Sequence, residues 1–411
     1  MKSLAALGAG ALLCLWSALP AHAQGEFALK YIDLNDGDPL TRVACFPNVS
    51  YREKPADLAP PGGFSDKIHF FAFTMGGREV RAVLDLASPP KLCVEAAAAG
   101  ELVPVPLASG GPEVEGGTLF GPVTIRLSGG TVRVRFRSPR SPDGRVWLGA
   151  APAGCMAGEV TLAGQTCRIA LVDNNLDGQY TPMTRLPNHH TGNDDRLDLL
   201  ALDVNGDGRF LPYGAEPAEI LPLLPTLPAG DNLYRVDVDP AGTSVRFTRL
   251  EAQWGTLDVG SPDLVLWVQS DAGLQRLQRL SGPTGKWRLP AGKYKTLRVE
   301  LGRLTPDGVR WSLRGGGLYQ MSAGLGQLTQ FEIRPEEILT IRAGPPLTTR
   351  ADVHGPTSDR KFQIIFWPVG QAGEGYAIMA HRDGKYQPGA PAARILDEAG
   401  HILATINFGW D

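Results

Sequence analysis

Apolar and polar residues alternate over short runs along most of this chain, and turn residues interrupt the alternation before a helical repeat can develop. Val123 to Leu127 and Thr131 to Arg137 flank Ser128-Gly129-Gly130, which predicts a hairpin whose alternate side chains face opposite sides. The same reasoning pairs Phe70 to Thr74 with Val80 to Leu84 across Gly76-Gly77, Glu159 to Leu162 with Arg168 to Leu171 around Ala163-Gly164-Gln165, and Arg298 to Leu304 with Val309 to Leu313 across Pro306-Asp307-Gly308. Near the end, Phe362 to Trp367, Tyr376 to Ala380, Ala393 to Leu396 and Ile402 to Ile406 have the strand spacing of a small sandwich. Val94 to Ala99, closing on four alanines, is the one stretch that suggests a short helix.

The fold class expected is therefore mainly β, with several antiparallel β-sandwich-like units around a central loop module. The 50 Gly and 34 Pro among 411 residues supply the turns this requires. Composition shifts divide the chain into an entry segment at 24–65, a disulfide-bearing β domain at 66–168, a calcium-loop module at 169–245, and β units at 246–343 and 344–411. Leu221 to Pro228 holds three prolines and reads as an extended connector.

Lys2 precedes an apolar run from Leu4 to Leu19, and Ala21-His22-Ala23 offers a small-x-small cleavage site. This is a signal peptide, and it predicts a secreted or periplasmic protein without membrane insertion, because Gln24-Gly25-Glu26 is no stop-transfer flank. Cleavage takes the formal net charge from −3 to −4, which leaves no basic field for nucleic acid. It also leaves Cys45, Cys93, Cys155 and Cys167, an even number that in an oxidising compartment predicts two disulfides. Of the three pairings, Cys155 with Cys167 is favoured by the hairpin between them, and Cys45 with Cys93 follows.

The chemistry concentrates in two stretches 30 positions apart, Asp173-Asn174-Asn175-Leu176-Asp177-Gly178 and Asp203-Val204-Asn205-Gly206-Asp207-Gly208. Calcium takes six to eight hard oxygen ligands, and donors at alternating positions let a tightly turning backbone wrap one ion. Asp173, Asn175 and Asp177, and Asp203, Asn205 and Asp207, are the side-chain candidates. Gln179 and Arg209 would each lend a backbone carbonyl, and Tyr180 and Phe210 follow. Position 12, which should be an acid, is Thr184 in one loop and Gly214 in the other, so a ligand must come from elsewhere; Asp194, Asp195, Asp198 and Glu216 lie nearby. Asx-turns without metal are the competing reading.

On these residues the loop pair resembles the calcium loops of dockerin-like and EF-hand-like modules. The pattern from Val172 through Asp195-Arg196-Leu197 to Gly208 resembles a module of secreted bacterial multidomain β proteins, over roughly 157–245. The flanks read as extended chain instead of helices, which argues against a sensor that opens a helix pair. The resemblance implies bound Ca²⁺ and no catalytic residue. Strand spacing alone makes the last 65 or so residues resemble a carboxypeptidase-regulatory or Ig-type sandwich.

No nucleophile elbow, HExxH helix, Walker loop or dinucleotide fingerprint is present. Gly282 to Trp287 only mimics a phosphate loop. Val83 to Ser88 faintly resembles the aspartic protease strand, but Leu86 and Ala87 stand where the hydroxyl and glycine belong. His189-His190 beside Asp194-Asp195 could be drawn as a zinc site, although adjacent histidines in extended chain diverge. The strip Arg133, Arg135 and Arg137 reads as a solvated outer face with an acidic polysaccharide as the alternative occupant, and Trp254, Trp267, Trp287, Trp311, Tyr319, Trp367 and Trp410 offer either core packing or glycan stacking. The function expected is a secreted, non-enzymatic, calcium-stabilised β protein with a binding or structural role toward an extracellular glycan or surface protein. The alternative is an extracellular hydrolase, centred on Asp85 or directed at glycans.

Overall fold

The structure is a computed structural model. It describes residues 25–407 except 36–37, 43–48, 52–57, 59–61, 98, 109–116, 140–145, 183–196, 212–218, 230–231, 271–275, 283, 305–309, 317–323, 355–362, 377–379, 383–384, 388–391 and 397–400. The chain divides into two compact units between Ala252 and Gln253. Both are built mainly from antiparallel pairs, with Trp254–Asp258 and Ile338–Thr340 of the second unit pairing in parallel, and the described residues contain no α-helix. None of their helices is long and apolar enough to cross a membrane.

In the first unit, β3 (Val49–Tyr51), β4 (Ile68–Met75), β5 (Arg78–Asp85), β6 (Lys91–Glu95) and β7 (Leu102–Val105) form a meander in chain order. It packs on a sheet ordered β10 (Gly149–Pro152), β9 (Gly130–Pro139), β8 (Gly117–Leu127). Alternate residues of the two sheets, among them Phe71, Phe73, Val80, Leu84, Phe120, Val134 and Phe136, share one core. Both expected hairpins are present here. The short helix is not: Lys91 to Glu95 is a strand buried from Leu92 onward, because pairing of Val94 with Ala82 and Val103 outweighs the helix preference of the alanines that follow.

The next sheet runs β14 (Ile220–Pro222), β13 (Leu199–Leu202), β12 (Gln165–Val172), β11 (Gly154–Leu162), β2 (Lys30–Asp33). One face packs on the sheet ordered β1 (Gly25–Ala28), β17 (Ser244–Leu250), β16 (Asn232–Val238), β15 (Thr226–Ala229). Its other face makes a separate core with Leu34, Leu40 and Phe210. Burial on both sides explains why Ile169-Ala170-Leu171-Val172 is an unbroken apolar run: Ile169 and Leu171 enter one core, Ala170 and Val172 the other. The opening segment is thus woven in as β1 and β2, and the boundaries expected near 168 and 245 fall inside β12 and β17.

In the second unit a seven-stranded sheet is organised by the long strand Gly292–Leu304, which pairs with Leu264–Ser270, Arg310–Gly316 and Gln330–Ile333. Ala380–Arg382 joins this sheet through Arg310–Gly316, so the β units expected at 246–343 and 344–411 share it. Thr348–His354 with Gln363–Val369, and Ala392–Leu396 with Ile402–Asn407, are hairpins. Tyr376 lies outside any strand, buried in the unit's core.

The favoured disulfide does not form. Cys167 faces Val160 across the β11–β12 ladder, whereas Cys155 faces Ile32 on the opposite edge of β11. The five-residue offset is roughly 16 Å of strand, more than twice the Cα separation a disulfide tolerates. Cys93, Cys155 and Cys167 are free. Burial pushes the Cys155 thiol up to about 12 and Cys167 to about 11, which suppresses thiolate chemistry. Cys45, and with it the second pairing, lies outside the described residues.

Candidate functional site

Each loop begins where a strand of the doubly buried sheet ends: Asp173 follows β12 and Asp203 follows β13. The two then fold by the same rules. Asp173 Oδ1 accepts from the Asp177 N–H at 3.1 Å and Oδ2 from the Gly178 N–H at 2.9 Å. Asp203 Oδ1 accepts from the Gly206 N–H at 2.8 Å and Oδ2 from the Gly208 N–H at 2.9 Å. The third and fifth positions repeat closely: Asn175 and Asn205 each accept from the N–H two residues on at 2.8 Å, as do Asp177 and Asp207. The fourth and sixth residues of both loops are left-handed, with φ of 57° at Leu176, 78° at Gly178, 73° at Gly206 and 79° at Gly208. Leu176 therefore adopts a conformation that costs a side-chain-bearing residue roughly 1–2 kcal/mol.

A second acid closes each loop from the start of the next strand. Asp198, immediately before β13, accepts from the Thr181 N–H through Oδ2 at 3.1 Å, and the Asn175 N–H also points at this carboxylate. Glu219, immediately before β14, accepts from the Asn205 N–H at 3.3 Å and the Leu211 N–H at 2.8 Å. These are the same two loop positions, the third and the ninth. Asp198 is among the acids the sequence offers; Glu219 is not, and Asp194, Asp195 and Glu216 lie outside the described residues. The signal for Glu219 is positional, since both closing acids directly precede a buried strand.

These carboxylates are enclosed. Asp173, Asp198, Asp203 and Glu219 are 5%, 4%, 3% and 1% exposed. Burial, against the pull of the Gly178 amide, pushes Asp173 up to about 7. Burial and then the charge of Asp173 push Asp198 to about 8. Burial likewise raises Glu219. Among the described residues the Oδ1 atom of Asp198 has no hydrogen-bond partner. An unpaired oxygen on a buried acid that faces two other acids is the donor chemistry a hard cation would satisfy. Among the described residues no three His, Cys, Asp or Glu side chains stand close enough to hold a metal by themselves. A calcium shell here would draw on Asn175 or Asn205 and on backbone carbonyls, Gln179 and Arg209 being those the pattern assigns.

The loops differ in setting. The first is wedged between cores, with Leu176 fully buried in that of the β3–β10 sheets and Tyr180 in that of the β11–β17 sheets. Tyr180 N–H donates to Pro240 O at 2.9 Å, and a Cβ on Gly242 would lie 2.5 Å from the Tyr180 ring. The second loop is exposed from Asn205 to Arg209. There the Arg168 guanidinium donates to Gly208 O and lies 5.5 Å from the Phe210 ring centroid.

Comparison of the chain with family models, curated proteins and solved structures found no match. The site is accordingly read from its own residues.

Asp85, the protease-like candidate, is fully buried with both oxygens engaged. Oδ2 accepts from the Ser65 N–H at 2.7 Å, and Oδ1 from the Ser65 hydroxyl at 2.8 Å and the Ala87 N–H at 2.9 Å. Burial pushes its pKa up, but these donors and the Lys91 charge outweigh it and hold the carboxyl below the ordinary range. It ties Ser65 to the end of β5. The arginines of the strip are half-buried, and Arg133 pairs with the exposed Asp33. Trp287 and Trp367 are core residues, and Trp287 Nε1 donates to Ser281 O at 2.8 Å. Trp254 is half-buried with the Arg288 guanidinium 5.7 Å from its ring centroid, and Trp267 is half-buried. His189, His190, Tyr319 and Trp410 lie outside the described residues, as does the side chain of Trp311.

Proposed function

We propose that this is a secreted, calcium-stabilised β protein in which the Asp173 and Asp203 loops hold Ca²⁺ and make the first unit rigid. It presents its sheets to an extracellular glycan or surface protein and has a binding or structural role. The observation that supports this is the recurrence, at both loops, of a buried aspartate joined by a second buried acid from the next strand. A carboxylate pair in such surroundings is costly when ionised, and a divalent cation offsets the cost while supplying the positive charge. Extracellular calcium is plentiful, so sites of about 10⁻⁴ to 10⁻³ M stay filled.

The test is calorimetric melting of the mature protein in EGTA, in CaCl₂ and in MgCl₂. Saturation at about 100 times Kd adds about 2.7 kcal/mol, so the transition of the first unit should move upward in CaCl₂ and less in MgCl₂. Asp203→Ala and Asp173→Ala should each remove part of the shift. Equal melting in EGTA and CaCl₂ would leave the loops as metal-free Asx-turns.

A further inference from the structure

The two loops share their hydrogen-bond pattern but not their electrostatic surroundings, and three differences point the same way. At the first loop Asp198 is 96% buried with Oδ1 unpartnered among the described residues, while at the second loop Glu219 has each oxygen occupied by a loop amide. At the second loop the Arg168 guanidinium sits on the backbone carbonyl of Gly208, which brings a positive charge beside that loop. The acids that act on the closing carboxylate are alike at the two loops, Asp173 and Asp177 on Asp198 and Asp203 and Asp207 on Glu219, so the contrast lies elsewhere. The first loop is also the enclosed one, so its electrostatic attraction for a cation is less screened by water than that of the exposed Asn205 to Arg209 segment.

We infer that Asp198, through Oδ1, is a direct calcium ligand of the first loop, and that this loop is the tighter of two unequal sites. The inference rests on the calcium reading above. Asp198 stands 25 residues after Asp173, outside the 12-residue loop, and takes the place of the acid that Thr184 cannot supply. The first loop fills first on titration, and the second fills only at higher calcium because Arg168 and the occupied Glu219 carboxylate oppose it.

Calcium titration of the full mature chain by isothermal calorimetry, with Asp198→Asn and Glu219→Gln beside the natural protein, distinguishes the cases. Two unequal sites are expected. Asp198→Asn keeps the amide acceptor and removes the charge, and should weaken the tighter site at least tenfold while Glu219→Gln leaves that site within twofold. Two sites in the natural protein with the tighter one unmoved by Asp198→Asn would overturn the inference and leave the calcium reading standing. No binding by the natural protein would end both. Should Asp198→Asn fail to fold, crystals of the natural protein grown with terbium decide the matter. Anomalous density within about 2.3–2.6 Å of Asp198 Oδ1 supports the assignment, and density beyond 3.5 Å from it, or at the second loop alone, overturns it.

Discussion

Leu176 and Tyr180 are four residues apart in one loop and belong to two different hydrophobic cores. Leu176 is fully enclosed among the β3–β10 side chains, and Tyr180 is 8% exposed among those of β11–β17. The turn between them carries Asp177 and Gly178, so whatever fixes that turn fixes the register of one core against the other. A bound cation in this position would act as a cross-brace, which is a structural role that needs no moving helix.

Leu176→Ala should cost about 2–5 kcal/mol, the usual range for truncating a buried leucine. The left-handed backbone at this residue makes Leu176→Gly informative as well. It removes more apolar surface but relieves the strain, so its loss should not exceed that of alanine by more than about 1 kcal/mol. Urea denaturation of both variants in saturating calcium measures the difference.

Gly242→Ala tests the other anchor. Gly242 has φ of 73°, and an added Cβ would lie 2.5 Å from the Tyr180 ring. The substitution should destabilise the first unit by about 1–3 kcal/mol and weaken calcium binding at the first loop although it touches no proposed ligand. Unchanged affinity would show that the Tyr180 anchor and the loop are uncoupled.

The calcium-free protein should lose stability as pH rises from about 4 to 8. An unfolded aspartate ionises near 3.9, whereas Asp173 and Asp198 stand at about 7 and about 8 in the fold. Between those values the folded state binds more protons than the unfolded, so their contribution is fully present below pH 4 and is lost as pH rises through 7 and 8. The loss is on the order of a few kcal/mol. Calcium should flatten or reverse the trend, since it binds the ionised form. Urea midpoints at pH 5, 6.5 and 8, in EGTA and in CaCl₂, provide the check, and a midpoint that rises with pH in EGTA contradicts the assignment.

In the second unit, Glu374 is completely buried and accepts from the Ala372 N–H at 2.9 Å, the Tyr376 hydroxyl at 3.0 Å and the Gly344 N–H at 2.5 Å. Glu374→Ala strips partners from three enclosed donors and should cost at least about 3 kcal/mol. The loss should appear only in the melting of residues 253–411. A matched loss in the first unit would mean that the two melt as one.

The hairpins around Gly76-Gly77, Gly129-Gly130 and Ala163-Gly164 were legible because period-two alternation and turn residues act locally. The two oxygen-rich loops were legible for the same reason, since six consecutive residues carry their own turn geometry. The cysteine pairing was not, because register across β11 places Cys155 opposite β2, a strand more than 120 residues earlier in the chain. The weaving of the opening segment into the first unit was likewise not local, since β1 and β17 pair across almost the whole of that unit. Composition and local pattern thus determined that this chain is a set of antiparallel sheets with paired acidic turns. Only the tertiary structure decided that Asp198 and Glu219 close those turns and that one turn is enclosed while the other meets solvent. Burial and charge proximity are properties of side chains brought together from distant positions, and no window of neighbouring residues contains them.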